Sequence, residues 1–255
     1  MTFTEKIFTR LKENPYFEGY KFCKSPTSFY KKTKGRKETI GISFYYPPFF
    51  QEYIESAVAQ IYPYYDVRFD ILHRWFYKFD FRSPLAKRLN SSISYIPDMF
   101  GLGLRNDFKY PLNEASFEEY FPKLQDEIIT CSSMLFPRFQ TLEQLYEFEV
   151  QTILDLVPPS LITGIWDWIY QRVDAVSRRI WHEQSCTWIF QSLALCLIVA
   201  PDNYPRWKEI ILDQIERRHK KKEPNMEHYY YRLDEIFDCL EHYDFSKELA
   251  KMNKQ

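Results

Sequence analysis

The chain has 255 residues, of which 45% are apolar and 27% charged, and its formal net charge is −1. This composition is globular and excludes a disordered chain, which would hold few apolar residues and a high net charge. The 22 Phe and 20 Tyr supply large side chains for a core. The N-terminus lacks the apolar run of a signal peptide, and the most apolar segment, 188–200, is too short to cross a bilayer. We therefore expect a soluble, cytoplasmic protein.

Charge is distributed unevenly along the chain. Residues 1–110 carry a net charge of +7 and residues 111–255 one of −8, which together give the −1 of the whole chain. A nearly neutral total therefore hides two opposed halves. The five cysteines are widely spread and form no CxxC pair, which predicts reduced, buried thiols.

The first part of the chain predicts a helix followed by antiparallel strands. Phe3, Ile7, Phe8 and Leu11 fall on one face of a helix over residues 3–12. Two runs, 28–33 and 38–46, flank the turn residue Gly35 and predict a β-hairpin. A proline pair at 47 and 48 ends the second strand.

The stretch 65–81, YDVRFDILHRWFYKFDF, fits two different periods. One strand of this length would span about 55 Å, far more than usual. Leu72 and Phe76 break the alternation of a strand but fit one face of a helix. We predict a strand over 65–71 and then a short helix or turn through 79, with a bent, bulged strand as the alternative. A further strand is predicted at 91–96, before a loop with Gly101 and Gly103.

From residue 114 onward the pattern is helical. Ser116 with Glu119, and Thr141 with Gln144, match the capping box that opens a helix, here over 117–134 and 142–156. Four more helices are predicted over 160–182, 184–200, 204–221 and 225–241. The fold class is therefore α+β, with an N-terminal helix plus a small antiparallel sheet, followed by an all-helical C-terminal half. We place the division between residues 1–110 and 111–255, with one compact unit as the alternative.

Few residues suggest catalysis. Asp66, Asp70 and His73 offer two carboxylates and an imidazole, which a hydrolase or a metal site would use, but alternating charges on a solvated face explain the same pattern. His182 and Cys186 share a helix face without the further ligands that zinc requires. No glycine-rich phosphate loop and no serine elbow is present. We predict no catalytic residues, no metal and no cofactor.

The basic hairpin tip is the most distinctive charged feature. It holds Lys31, Lys32, Lys34, Arg36 and Lys37 beside the aromatic residues Phe29, Tyr30 and Tyr45. Basic charge beside aromatic rings is typical of proteins that bind single-stranded nucleic acid. Lysines that protect a sheet edge, or a tip that docks against the acidic segment 114–155 of the same chain, are the alternatives.

The acidic segment is the second candidate surface. Glu118, Glu119, Glu143 and Glu147 are prominent in it, and a surface of carboxylates suits a basic protein partner. Acidic side chains near helix N-termini, where the helix dipole favours them, are the simpler interpretation. The basic tip and these four glutamates form the predicted partner-binding set.

The segment FEGYKFCKSPTSFYKKT, placed between a short helix and an antiparallel pair, resembles uncharacterised bacterial families of small α+β proteins, some of them encoded near toxin systems. The resemblance covers residues 5–155, holds no catalytic motif and transfers no functional residue. It implies a cytoplasmic binding protein, such as a toxin-neutralising immunity protein. Our leading hypothesis is therefore a non-enzymatic protein-binding module. Nucleic-acid binding through the hairpin, and a hydrolase using Asp66, Asp70 and His73, are the alternatives.

Overall fold

The computed structural model describes residues 3–24, 27–33, 35–45, 58–95, 108–111, 114–172 and 186–253. The chain divides into two compact units. Unit 1 comprises Met1–Val67 and Ile93–Pro137, and unit 2 comprises Arg68–Ser92 and Arg138–Gln255. Among the described residues, no helix is both long and apolar enough to span a bilayer. The predicted α+β class is confirmed, because a helix and an antiparallel sheet precede a helical C-terminal half.

Unit 1 contains the sheet and the helices that pack on it. Its helices are α1 (Phe3–Lys12) and α4 (Glu114–Leu135), with 3₁₀ turns at Pro15–Phe17 and Phe136–Phe139. Its strands are β1 (Lys21–Lys24), β2 (Thr27–Thr33), β3 (Arg36–Tyr45), β4 (Val58–Phe69), β5 (Ile93–Tyr95) and β6 (Phe108–Pro111). The strand order is β1-β2-β3-β4-β5, and β6 also pairs with β4. The last residues of β4 and of the second 3₁₀ turn belong to unit 2.

The sheet of unit 1 has one face covered by helices. The Phe8 ring of α1 lies 5.3 Å from Phe22 and 5.2 Å from Phe29, which are paired across β1 and β2. On β4 the Tyr65 ring contacts Phe136, in the 3₁₀ turn after α4, with 6.4 Å between ring centroids. We call this the inner face; burying aromatic rings on it stabilises the unit through the hydrophobic effect.

The position of α4 explains why the compact units do not divide at residue 110. Phe136, the residue directly after the helix, packs on Tyr65 of the sheet, and the Ser132 hydroxyl of the helix forms a hydrogen bond with the Tyr16 hydroxyl at 2.7 Å. It therefore belongs to the same unit as the strands. The predicted division into two domains, 1–110 and 111–255, stays a prediction.

Unit 2 is helical. Its elements are α2 (Ile71–Arg74), α3 (Pro84–Leu89), α5 (Leu142–Tyr146), a π-helical turn (Glu147–Gln151), α6 (Thr152–Leu156), α7 (Ile165–Arg172), α8 (Cys186–Val199), a 3₁₀ turn (Pro201–Asn203), α9 (Tyr204–Lys220), α10 (Met226–Tyr230), α11 (Leu233–Glu241) and α12 (Ser246–Asn253). The apolar helix α8 is central: Phe190 stacks on Phe76 at 4.7 Å and lies 5.2 Å from Tyr229.

Several predicted boundaries require correction. Helix α4 begins at Glu114, so Ser116 lies inside it and does not cap its start. The predicted helix over 225–241 is broken between α10 and α11. Within the predicted helix over 160–182 the structure has α7 from Ile165 to Arg172, and residues 173–185 lie outside the described ranges. The capping box of Thr141 and Gln144 is confirmed at the start of α5.

The stretch 65–81 changes from strand to helix as predicted. Strand β4 ends at Phe69 and α2 begins at Ile71. The strand starts seven residues earlier than expected, at Val58. Leu72, Trp75, Phe76 and Phe79 are all buried, which explains why the strand alternation fails after residue 70.

Candidate functional site

The structure divides the basic hairpin tip between two faces of the sheet. In an antiparallel pair, directly opposed residues share a face and neighbours along a strand alternate. Lys31 is opposite Glu38, and Thr33 is opposite Arg36, on the inner face. Lys32 is opposite Lys37 on the other face. Lys34 lies outside the described residues.

Arg36 does not belong to an exposed binding surface. Its side chain is buried and forms an ion pair with Glu38 on the neighbouring position of its own face. Its second guanidinium nitrogen donates to the Phe136 carbonyl oxygen at 3.0 Å. The guanidinium fork is therefore already occupied inside unit 1, and the partner-binding role of Arg36 stays a prediction.

The other face of the sheet, which we call the outer face, carries lysines around a tyrosine. Lys21 of β1 is opposite Tyr30 of β2, and Tyr30 is opposite Thr39 of β3. Lys32 and Lys37 lie on the same face, with the Lys37 ammonium 5.9 Å from the centroid of the Tyr30 ring. Lys21 and Lys32 are exposed, and Tyr30 and Lys37 are half-buried.

Strand β4 extends this face with two further tyrosines. Ile61, Pro63, Tyr65 and Val67 are buried, and the alternate positions Tyr62 and Tyr64 are half-buried. The Tyr64 ring covers Gly41 of β3, on the side where a Cβ atom would project. Burial, followed by the nearby Asp66 carboxylate, raises the pKa of Tyr64. We call Lys21, Tyr30, Lys32, Lys37, Tyr62 and Tyr64 the tyrosine–lysine face.

The four acidic residues of the predicted partner-binding set do not come from one unit. Glu118 and Glu119 are exposed on α4 of unit 1. Glu118 pairs with Arg10 of α1 at 3.2 Å. Glu143 and Glu147 are exposed on α5 and the π-helical turn of unit 2. Their role in partner binding stays a prediction.

Asp66, Asp70 and His73 make separate contacts. Asp66 is opposite Ser94 on the outer face of the sheet. Asp70 forms an ion pair with Arg68 at 2.8 Å and lies 3.9 Å from Arg74. Within the described ranges, no group of three His, Cys, Asp or Glu side chains could hold a metal ion. The hydrolase alternative stays a prediction.

His73 is held as a neutral, buried imidazole. Its Nδ1 accepts from the side-chain amides of Asn90 at 3.3 Å and Gln191 at 3.2 Å. The ring proton is therefore assigned to Nε2, which donates to Ser92 Oγ at 3.0 Å. Burial, then the charges of Arg68 and Arg82, keep the pKa of His73 well below its usual value. In this tautomer the imidazole cannot accept the hydroxyl proton of Ser92, as a nucleophile's general base must.

Helix α8 also borders a buried carboxyl group that the sequence did not indicate. Glu149 lies in the middle of the π-helical turn and is 3% exposed. Burial raises the pKa of Glu149 to about 8. Neither Glu149 Oε1 nor Trp188 Nε1 has a hydrogen-bond partner among the described residues. Such a residue affects the pH dependence of stability.

The thiols follow the predicted pattern in part. Cys131 and Cys196 are buried, and Cys23 and Cys239 are half-buried; none of these four forms a disulfide. The predicted His182–Cys186 pair lies outside the described side chains.

No family model, no curated protein and no solved structure matches the chain. The resemblance to bacterial α+β families therefore stays an expectation. What the chain binds must be argued from its own surfaces, and on the tyrosine–lysine face lysines of the predicted basic tip coincide with half-buried aromatic rings.

Proposed function

We propose that the protein is a non-enzymatic, protein-binding module and that its binding surface is the tyrosine–lysine face. The observation that carries this proposal is that Tyr30 lies among three lysines on the sheet face opposite to the helices, and that Tyr62 and Tyr64 of β4 lie on the same face. Tyrosine contributes a large, amphipathic contact area at a low cost in side-chain entropy, and it is enriched where proteins bind one another.

The rigidity of the sheet supports this role. Phe22, Phe29 and Tyr65 anchor β1, β2 and β4 to helices on the inner face, so the tyrosines of the outer face project from fixed backbone. A preorganised surface loses less conformational entropy on binding than a mobile loop.

A protein partner is favoured over single-stranded nucleic acid. Tight nucleic-acid binding draws on many phosphate contacts, and arginine forms the best of them. The tyrosine–lysine face offers three lysines, and Arg36, the arginine of the hairpin, donates instead to Glu38 and Phe136. Asp66 on the same face opposes a polyanion further.

A comparison of surface variants tests the proposal. The tagged chain, purified gently from its own host, is examined by native mass spectrometry for a protein bound at fixed stoichiometry. We expect such a partner with the wild type and its loss with Tyr30→Ser combined with Tyr62→Ser. When two tyrosines act as anchors of an interface, removing both weakens binding by about tenfold or more.

Tyr231→Ser is the matched control. Tyr231 is 75% exposed and belongs to unit 2, so its loss removes an exposed ring without altering the tyrosine–lysine face. A partner that survives Tyr30→Ser with Tyr62→Ser, or that is lost equally with Tyr231→Ser, contradicts the proposal. Copurified nucleic acid in place of protein would favour the hairpin's nucleic-acid alternative.

A toxin-neutralising role is the specific form of this proposal that the sequence resemblance implies. The partner would then be a toxin, and binding alone would neutralise it, which agrees with a module that brings no catalytic residues of its own. The cytoplasm is the compartment we expect for such a complex.

A further inference from the structure

Unit 2 has an open groove along helix α9. Its volume is about 600 Å³, which lies in the range of ligand-binding clefts. One wall is a stripe of α9 whose members recur three or four residues apart, and the other wall is the segment 162–164 with the start of α7. The stripe consists of Glu209, Leu212, Asp213, Glu216, Arg217 and Lys220, and Lys221 follows it.

Hydrogen bonds tie the two walls of the groove together. Arg206 of α9 donates to the Leu161 carbonyl oxygen at 2.8 Å. The Asp213 carboxylate accepts from the Gly164 N–H at 2.9 Å and from the Trp166 N–H at 3.1 Å. The groove is therefore formed before any ligand enters, and a preformed site loses little conformational entropy on binding.

The segment that these bonds fix holds an apolar side chain in water. Ile162 is 68% exposed, although its neighbours Leu161 and Gly164 are both bonded to α9. It lines the groove together with Leu212, which is half-buried. Covering this apolar surface with a ligand is favourable through the hydrophobic effect. The groove therefore suits an apolar side chain between its ends.

The ends of the groove carry opposite charges. At the first end, Glu209 Oε2 contacts Arg206 at 2.9 Å, and the carboxylate has further acceptor positions on its other oxygen. At the second end, Lys220 pairs with Glu216 at 3.4 Å, and a pair between two exposed side chains contributes little. Lys221 adds another ammonium there. A ligand with a cation at one end and an anion at the other matches this arrangement.

The length of the groove fits a short extended peptide. A helix rises about 1.5 Å per residue, so Glu209 and Lys220 are about 17 Å apart along the axis of α9. An extended chain advances about 3.3 Å per residue and points alternate side chains to one side. About five residues therefore span the groove, and the first, third and fifth side chains face it. Between the ends, Asp167 pairs with Arg217 at 3.0 Å, so the third side chain needs no charge.

We propose that this groove binds an extended five-residue segment of a partner protein, with a basic side chain at one end, an apolar one at the centre and an acidic one at the other end. The basic side chain contacts Glu209, and the apolar one contacts Ile162 and Leu212. The acidic side chain contacts Lys220 and Lys221. This site goes beyond the proposed function, because it belongs to unit 2 and does not use the tyrosine–lysine face of unit 1.

Pentapeptides with blocked termini provide the probe. The first has lysine, leucine and glutamate at its first, third and fifth positions, serine between them, and an uncharged fluorophore at its N-terminus. Two comparison peptides have glutamate at both ends or lysine at both ends. The full chain is titrated into each, and binding is followed by fluorescence anisotropy. We expect the mixed peptide to bind about fivefold more tightly than the other two, since each of those replaces one attraction by a repulsion.

Reversing the charges of the groove should change which peptide binds best. Glu209→Lys should favour the peptide with two glutamates over the mixed peptide by about fivefold. Lys220→Glu combined with Lys221→Glu should favour the peptide with two lysines by a similar factor. Ile162→Ser should weaken all three peptides about fivefold, because it removes the apolar contact. A variant that failed to fold would lose binding without gaining a new preference.

Matched controls change the same charges outside the groove. Glu227→Lys, and Lys247→Glu combined with Lys251→Glu, alter exposed side chains of unit 2 that are not among the described residues lining the groove. We expect both to bind the mixed peptide within about twofold of the wild type, since distant exposed charges are screened. Tyr30→Ser with Tyr62→Ser should also bind it as the wild type does.

Four outcomes overturn the proposal. The first is equal binding of the three peptides, or of none, by the wild type. The second is an unchanged preference in the charge-reversed variants. Loss of the mixed peptide on Tyr30→Ser with Tyr62→Ser, but not on Ile162→Ser, would assign it to the tyrosine–lysine face. A dimer that dissociates on Ile162→Ser, without peptide binding, would assign the groove to a second copy of the chain. None of these outcomes alters the test of the proposed function, which measures loss of the host partner.

Discussion

Lys222 follows helix α9 in a backbone conformation that favours glycine. Its φ angle is 53°. The Glu223 N–H donates to the Arg218 carbonyl at 3.1 Å, and the Lys222 N–H donates to the His219 carbonyl at 2.9 Å. These two bonds define a Schellman motif with Lys222 at the position after the C-cap. A Cβ atom in the left-handed region is a steric cost that glycine avoids.

We expect Lys222→Gly to raise the free energy of unfolding by about 0.5–1 kcal/mol, the relief of strain less the greater flexibility of glycine in the unfolded chain. Urea denaturation measures the change. Lys222→Ala is the control, because it removes the charge and keeps the Cβ atom. An equal gain for Lys222→Ala would trace the effect to repulsion from Lys220 and Lys221 and contradict the conformational argument.

At the scale of elements, Tyr64 of β4 packs closely against β3 because Gly41 has no side chain. A Cβ atom on Gly41 would lie well inside van der Waals distance of the Tyr64 ring. Glycine at this position allows the ring to lie against the strand, which places Tyr64 in the tyrosine–lysine face.

We expect Gly41→Ala to destabilise the protein by about 1–3 kcal/mol, because the Tyr64 ring must move. In a Tyr64→Ala background the same change should cost much less. Thermal or urea unfolding of the four proteins of this double-mutant cycle gives the coupling energy, expected to exceed about 1 kcal/mol. Additive effects of the two substitutions would show that the ring and the Cβ position do not compete.

Elements with a strong local signal were predictable from the sequence. The capping box of Thr141 and Gln144 is a set of local hydrogen bonds, and the structure retains it. Ser116 and Glu119 match the same motif inside α4. The motif there is a false match, since the helix already begins at Glu114, two residues before Ser116.

The candidate site was predictable only in part. The sequence indicated the basic tip, and the alternation of a strand could have separated Lys31 from Lys32 before the structure was known. The hydrogen bond from the Arg36 guanidinium to the Phe136 carbonyl joins residues 100 positions apart, so strand alternation could not have predicted it. Strand alternation also could not have predicted that Tyr30, Tyr62 and Tyr64 share one face, because strand order is a tertiary property.

At the scale of the whole molecule, buried titratable groups determine how stability varies with pH. The pKa of Glu149 is raised from 4.5 to about 8, so the folded protein holds a proton that the unfolded chain has released over this range. Stability from this group is complete below pH 4.5 and is lost as pH rises towards 8. His73 acts oppositely: its lowered pKa costs stability below its usual value of 6.5.

The interval from pH 6.5 to about 8 therefore isolates Glu149. We expect the wild type to lose about 1–2 kcal/mol of unfolding free energy across it, since each pH unit contributes up to about 1.4 kcal/mol for one proton. Glu149→Gln should flatten the curve over this interval, whatever its effect at a single pH. Urea denaturation at several pH values measures the slope.

Glu147→Gln is the control for this pH dependence. Glu147 lies in the same π-helical turn but is exposed, so its substitution should leave the slope of the wild type unchanged.

Above this interval a second loss of stability is expected. Burial raises the pKa of the Cys131 and Cys196 thiols from 9.0 to about 12, and raises those of Tyr65 and Tyr204 as well. These groups ionise first in the unfolded chain, so Glu149→Gln and the wild type should both lose unfolding free energy at alkaline pH. Superimposable curves for Glu149→Gln and the wild type between pH 6.5 and 8 would show that the buried carboxyl is not the group that titrates there.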